Sequence, residues 1–270
     1  MTKEVLFTEF WLNLSEEQQK NRTERAFRKY KKMADIQLDL LIKYKKSKKL
    51  SKSERHIYLF AIVISFWKDA EFALALGKNK YRDYAVYPVR TMMEKLLKII
   101  WFTRNKTVQD QDEITVRELL LTAFVNYNFE RDGGGSGDNF KRSYNAINVY
   151  GDYPNIDNAS LSKLKAFPSY KEMCEKSGLH DAECLYASYS YLSAIPHGEL
   201  LSVIDMGDNE NMGKEYRRAM MLLVRFTQEM LLVTDFHLQH RTKEQVATSI
   251  KEAEQIVKAD MYKNLTNDQR

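Results

Sequence analysis

The stretch PVRTMMEKLLKIIWF, from Pro88 to Phe102, decides how the rest of the chain is read. Val89, Met93, Leu97 and Ile100 recur at the three- and four-residue spacing of one helix face, with Trp101 beside them. Arg90 and Glu94 sit one turn apart among these apolar positions. A helix from Tyr81 to Thr103 follows, with Pro88 marking a kink or the true start.

Working outward, the same period returns on both sides. Upstream, Ile57 to Leu76 is apolar nearly all round and is expected to be the most buried helix. Before it, Ser15 and Gln18 form a capping box opening a long helix, whose stripe is Phe27, Tyr30, Met33, Leu40, Leu41 and Tyr44. Residues 2–13 read as a shorter helix, and Ser51 or Ser53 caps the next one. Downstream, residues 107–130 carry Leu119, Leu120, Ala123, Phe124 and Tyr127 along one side. Pro168 opens a short helix closed by Gly178, and Asp181–Ala194 is helical up to Pro196. The long helix from Lys214 to about Gln239 has Met220, Leu223, Val224 and Leu231 as its stripe, widened by Leu232 and Val233. Thr242 and Gln245 open a last helix ending at Val257.

In 270 residues there are only 10 Gly and 4 Pro. A β-sandwich or barrel needs far more turn chemistry, so the scarcity argues the same way as the periodicity. The expected fold is all-α: a single helical domain over residues 1–270, a multi-helix bundle of about eight to ten helices. Its core is expected from residues 57–76, 89–102, 116–127 and 216–236. Four of the glycines fall in Gly133–Gly137, which reads as a flexible Gly-rich linker, native or engineered.

Composition excludes several classes. Two cysteines, Cys174 and Cys184, cannot make a disulfide framework and fit a reducing compartment. The start lacks a basic leader with an apolar run and cleavage site. Lys68, Asp69 and Glu71 interrupt the most apolar stretch, against a membrane span. A cytoplasmic protein is expected. The net charge of +5 is modest, yet Lys20 to Lys49 holds twelve Lys/Arg against Glu24, Asp35 and Asp39. Arg28, Lys29, Lys31 and Lys32 lead this basic helix. Clustered cations suit phosphate neutralisation, and Phe27, Tyr30 and Tyr44 would add base stacking if exposed or a core stripe if not. RNA is the expected partner, with an acidic protein or a membrane surface as the alternatives. A homodimer fits a long helical bundle, although no heptad run argues for one.

Three groups of residues could carry chemistry. Arg90 and Glu94 are either an ion pair on the rim of a core helix or a polar cluster kept for a ligand. His197 follows Pro196 and precedes Gly198, where a helix breaks and a ring can turn into a cleft; imidazole is also suited to proton transfer near neutral pH. The other reading is a hydrogen-bonded structural histidine. His237 and His240 share a helix face but would need a third ligand from elsewhere to hold a metal. No zinc, P-loop or hydrolase motif is present, so neither a metal nor another cofactor is expected.

The Arg90-x-x-x-Glu94 helix, followed by Tyr191-x-Ser193-x-x-x-His197 ahead of a long C-terminal helix, resembles an uncharacterised bacterial family, domain of unknown function 5677. That family is similar in shape to HEPN-type helical proteins of defence and toxin systems. The resemblance covers roughly residues 55–240 and implies Arg90, Glu94, Tyr191, Ser193 and His197 as the site. HEPN ribonucleases pair an Arg with a His slightly further along one helix. None of the five histidines here has an Arg at that distance, so nuclease chemistry of that kind is not implied. Three functions remain open: a HEPN-like defence or toxin-associated protein contacting RNA through the basic helix, a non-catalytic interaction module, and an enzyme using His197 as acid/base with Arg90 holding an anion.

Overall fold

The computed structural model describes residues 9–46, 54–76, 82–104, 106–135, 137–150, 165–178, 182–194 and 214–259. Among them there is no strand. A helical segment at 9–13 leads into α1 (Glu16–Lys46), followed by α2 (Glu54–Leu76), a 3₁₀ turn (Arg82–Ala85), α3 (Val86–Arg104), α4 (Val108–Asp132), α5 (Asp138–Tyr150), α6 (Tyr170–Glu175), α7 (Ala182–Ala194), α8 (Lys214–His237) and α9 (Lys243–Val257). No helix of the described residues is long and apolar enough to cross a membrane.

Several starts are set by local chemistry that the sequence displays. The Ser15 and Gln18 side chains each accept from the other's backbone N–H, at 3.2 and 3.0 Å. Thr107 and Asp110 make the same reciprocal box at the head of α4. Pro88 lies in the first turn of α3, where its missing N–H costs no helical bond, so it neither kinks nor breaks the helix. Gly178, at φ 66°, takes the left-handed conformation just beyond α6. The caps expected at Ser51 and Ser53 lie outside the described residues.

The helix between Val86 and Arg104 is the centre of the molecule. Val86, Pro88, Val89, Met92, Met93, Leu96, Leu97, Ile99, Ile100 and Phe102 are all buried, and α2, α6, α7 and α8 pack around it. Each large apolar side chain withdrawn from water contributes about 1.5–3 kcal/mol. The expectation that α2 would be the most buried is therefore corrected. It lies beside α3 and α1 and leaves Phe72 56% exposed. Two smaller differences have the same cause, a face turned from the body: Leu119 of α4 and Leu232 of α8 are exposed, while Ile114, Val116, Leu120, Leu231 and Val233 are buried. Most of the buried apolar residues form one cluster running from Trp11 to Val257; Val116, Leu120 and Ala123 of α4, from a stretch expected to supply core, are buried outside it.

The glycine run is a tight connection between α4 and α5. Gly133 N–H donates to the Phe129 carbonyl at 2.9 Å, and Gly134 adopts φ 71°. A Cβ on Gly135 would come within 2.8 Å of the Glu130 backbone oxygen, so the close return of the chain requires a glycine there. α5 then runs back and packs chiefly on α4, stacking Phe140 on Tyr127.

The expected cap at Thr242 is replaced by a longer-range arrangement. Its side chain makes no cap hydrogen bond to α9. Instead its hydroxyl donates to Asp235 Oδ1 at 2.6 Å, its N–H donates to the same oxygen at 2.8 Å, and its oxygen accepts from Gln37 Nε2 at 3.1 Å. Gln37 Nε2 also donates to the Leu231 carbonyl at 2.9 Å. This buried chain pins α1 to the joint between α8 and α9. Asp235→Ala strands the Thr242 donors, and the expected loss is about 2 kcal/mol, as for other buried donors left unpaired. Chemical denaturation of the variant beside Thr242→Val checks it: equal losses in the two singles and no further loss in the double mark a shared interaction.

Candidate functional site

Apart from Arg104 in its last turn, which donates to the Ser177 carbonyl at 3.2 Å, the charged residues of α3 lie along one half-exposed strip. Arg90, Glu94 and Lys98 recur at four-residue intervals, with Thr91 and Lys95 alongside. Arg90 Nε donates to Glu94 Oε1 at 3.1 Å, both side chains being about one-fifth exposed. Beside them Lys95 Nζ donates to Asp69 Oδ2 at 2.5 Å and to Ser65 Oγ at 2.7 Å, while Thr91 Oγ1 donates to Asp69 Oδ2 at 2.6 Å. Lys98 pairs with Glu118 of α4 at 3.3 Å. Each charge on the strip thus has a partner, which half-buried charges require.

The N-terminal half of the strip opens into a cleft of about 460 Å³ lined by Asp69, Phe72, Tyr87, Pro88, Arg90, Thr91 and Glu94. Its volume falls in the range of small-ligand sites. Aromatic rings crowd the other side of Arg90. Its guanidinium lies 5.8 Å from the Tyr189 ring centre, and Tyr189 packs at 4.7 Å against Tyr170. Burial, reinforced by the Glu94 carboxylate, pushes the Tyr170 hydroxyl well above the usual phenol range, so it serves as a neutral hydrogen-bonding group. Tyr58 behaves alike, raised by burial and by Glu118, and its hydroxyl has no partner among the described residues.

The expected site residues divide as follows. Arg90 and Glu94 meet. Ser193 is half-buried on α7, one turn beyond Tyr189, and its Oγ has no partner among the described residues. Tyr191 is in α7, but its side chain lies outside the described residues, as does all of His197. No histidine among the described residues lines the cleft. Chemically, the arrangement can hold an anion on Arg90 only by drawing it from Glu94. Tyr189, Tyr170, Asp69 and Lys95 were missed from the sequence. For the two charged ones a signal existed, the four-residue ladder of α3 facing the charges of α2; for the tyrosines none did, since a Tyr-x-x-Tyr spacing fits a core face equally well.

The basic helix is split in use. Lys29 bridges to Glu252 of α9 at 2.8 Å, and Lys31 bridges to Asp35 at 2.5 Å and Glu71 of α2 at 3.7 Å. Arg28 and Lys32 are exposed, together with Arg25 one turn before Arg28. Phe27 and Tyr30 are buried in the core, so they present no ring to a base; the Tyr44 side chain lies outside the described residues.

The C-terminal histidines do not converge. His240 Nδ1 lies 3.3 Å from Asp235, whereas the His237 ring meets His56 of α2 edge-on at 5.4 Å. No group of three metal-ligating side chains occurs among the described residues. Comparison with family models, curated proteins and solved structures gives no match.

Burial first, then the neighbouring His56 and Arg55, lowers His237 to about 4; burial and Arg55 lower His56 as well, against a smaller raising effect of Asp112. Both shifts are downward from the value near 6.5 that a histidine has in the unfolded chain. Between that value and about 4 the unfolded state binds more protons, so stability rises with pH across this window and falls on acidification. The melting temperature should drop from pH 7 to pH 5, and His237→Gln should flatten that dependence. An unchanged slope would assign the acid sensitivity to other groups.

Proposed function

We propose that the chain is a HEPN-like helical protein of a bacterial defence or toxin-associated system that contacts RNA through α1, in the cytoplasm. The observation that supports RNA contact is the row Arg25, Arg28 and Lys32. These residues are exposed on one face, and no carboxylate among the described residues pairs with any of them. Arg28 Nε is anchored on the Glu24 carbonyl at 3.3 Å, which fixes its direction without neutralising it. Seven residues of helix span about 10 Å, which by the duplex spacing of about 3.4 Å per phosphate along one strand faces about three phosphates. The defence or toxin association follows the likeness of the Arg90, Glu94, Tyr191, Ser193 and His197 pattern to that family.

With Phe27 and Tyr30 in the core, neither of these rings of α1 is free to stack on a base. Binding through it is then tolerant of sequence and steep in salt. A second reading, an enzyme with His197 as acid/base, is favoured by the cleft at Arg90 and needs a substrate anion that competes with Glu94.

A labelled single-stranded RNA should bind at low ionic strength, with log K falling against log salt at a slope of about −2, as expected for three phosphate contacts. Arg25→Ala, Arg28→Ala and Lys32→Ala together should flatten that slope towards zero. No binding at low salt, or a triple variant that binds like the parent, would sink the reading.

A further inference from the structure

The chain has three tryptophans, and they differ in one respect. Trp11 and Trp67 are buried at 0% and 3% exposure, whereas Trp101 is half-buried and lines an open cleft of about 320 Å³ at the far end of the α3 strip. Phe167 and Pro168 form its opposite wall, and Lys106, Asp110, Glu113, Arg117 and Lys165 its rim. Two lysines stand over the Trp101 ring, Lys106 at 5.0 Å and Lys176 at 6.0 Å from its centre, and Lys98 stands 5.0 Å over Phe167.

The acids of this rim are already engaged. Asp110 accepts from the Thr107 N–H and hydroxyl, both at 2.8 Å, in the cap of α4, and these bonds hold its carboxyl below the usual range. Glu113 pairs with Arg117. Lys106 and Lys165, by contrast, form no ion pair among the described residues, although the charge of Lys106 adds to the lowering of Asp110. The cleft therefore combines flat aromatic surface with a rim in which Lys106, Arg117 and Lys165 outnumber Asp110 and Glu113. A bare anion would make no use of Trp101 and Phe167, and a neutral aromatic would make none of the lysines.

We propose that this cleft binds a nucleobase carrying a phosphate, the base displacing the lysine ammonium groups from the Trp101 ring to stack on it and the phosphate drawing Lys106 and Lys165 to itself. Base-on-aromatic stacking tolerates any base, because each has a flat π face. Such a group comes either as a free nucleoside monophosphate or as a residue of an RNA strand. The site supplies a stacking surface that the buried Phe27 and Tyr30 of α1 do not, and it does not depend on contact there.

Trp101 also provides the readout, since the other two tryptophans are shielded. Titration of the full chain with adenosine and uridine monophosphates should give a saturable fluorescence change. Adenosine alone and inorganic phosphate alone should each bind at least about tenfold more weakly. Lys106→Ala with Lys165→Ala, both outside the core, should weaken the nucleotide about tenfold in calorimetry, and Trp101→Leu should do likewise with helicity checked by circular dichroism. A hexa-adenylate separates the sources: response to the strand but not the monophosphate assigns the cleft to RNA, and response to the monophosphate to free nucleotide. The Arg25, Arg28 and Lys32 triple variant should keep monophosphate binding, which separates this site from α1. The proposal is overturned if neither nucleotide nor strand gives a saturable change, if phosphate alone matches the nucleotide, or if the double lysine variant binds like the parent.

Discussion

A helix enclosed on most of its circumference can carry charge only along the line its neighbours leave open. α3 is under that constraint, with five other helices packed around it. Burying an unpaired charge costs several kcal/mol, so Arg90, Glu94 and Lys98 are confined to one line at four-residue intervals, and the next step of that line is Trp101. From Arg90 to Trp101 the rise is about 16 Å. One strip thus serves two clefts, the first balanced by Glu94 and Asp69, the second dominated by lysine.

The same constraint explains why the polar groups of neighbouring helices look inward at α3. Asp69 and Ser65 of α2 and Glu118 of α4 bond to lysines of the strip, and the Tyr189 ring of α7 meets Arg90. These contacts fix the rotation of α3 about its own axis, which apolar packing alone would leave less defined. At the joint between α8 and α9 the chain of Gln37, Thr242 and Asp235 does the same for α1, α8 and α9.

Helix positions were legible in the sequence because they follow from local chemistry: the Ser15 and Gln18 box, the placement of Pro88 at a helix start, the stop at Gly178. What was not legible is which side of an apolar helix meets the core. α2 is apolar on nearly every face, so nothing in its residues marked Phe72 as exposed. Thr242 reads as a cap whether its hydroxyl turns to its own helix or to Asp235. At the site, the adjacency of Arg90 and Glu94 followed from a four-residue spacing, but the approach of Tyr189 joins segments about a hundred residues apart and depends on tertiary packing. His56 and His237 likewise meet across the fold, from positions with no common pattern.

The turn between α4 and α5 bears on the order in which the chain can fold. Five residues separate Asp132 from Asp138, and α5 finds most of its contacts on α4. Loop-closure entropy grows only slowly with length, but it is least for such a short link, so this hairpin can form from local encounters before the distant segments assemble. α3 shares that advantage on one side only, where it packs on α2, its neighbour in sequence. On its other side α8 begins more than a hundred residues after α3 ends, and that pairing carries the long-range entropic cost which slows folding in chains of high contact order. The α2–α3 and α4–α5 hairpins are then the cheapest pairings to close, and the α3–α8 interface the costliest.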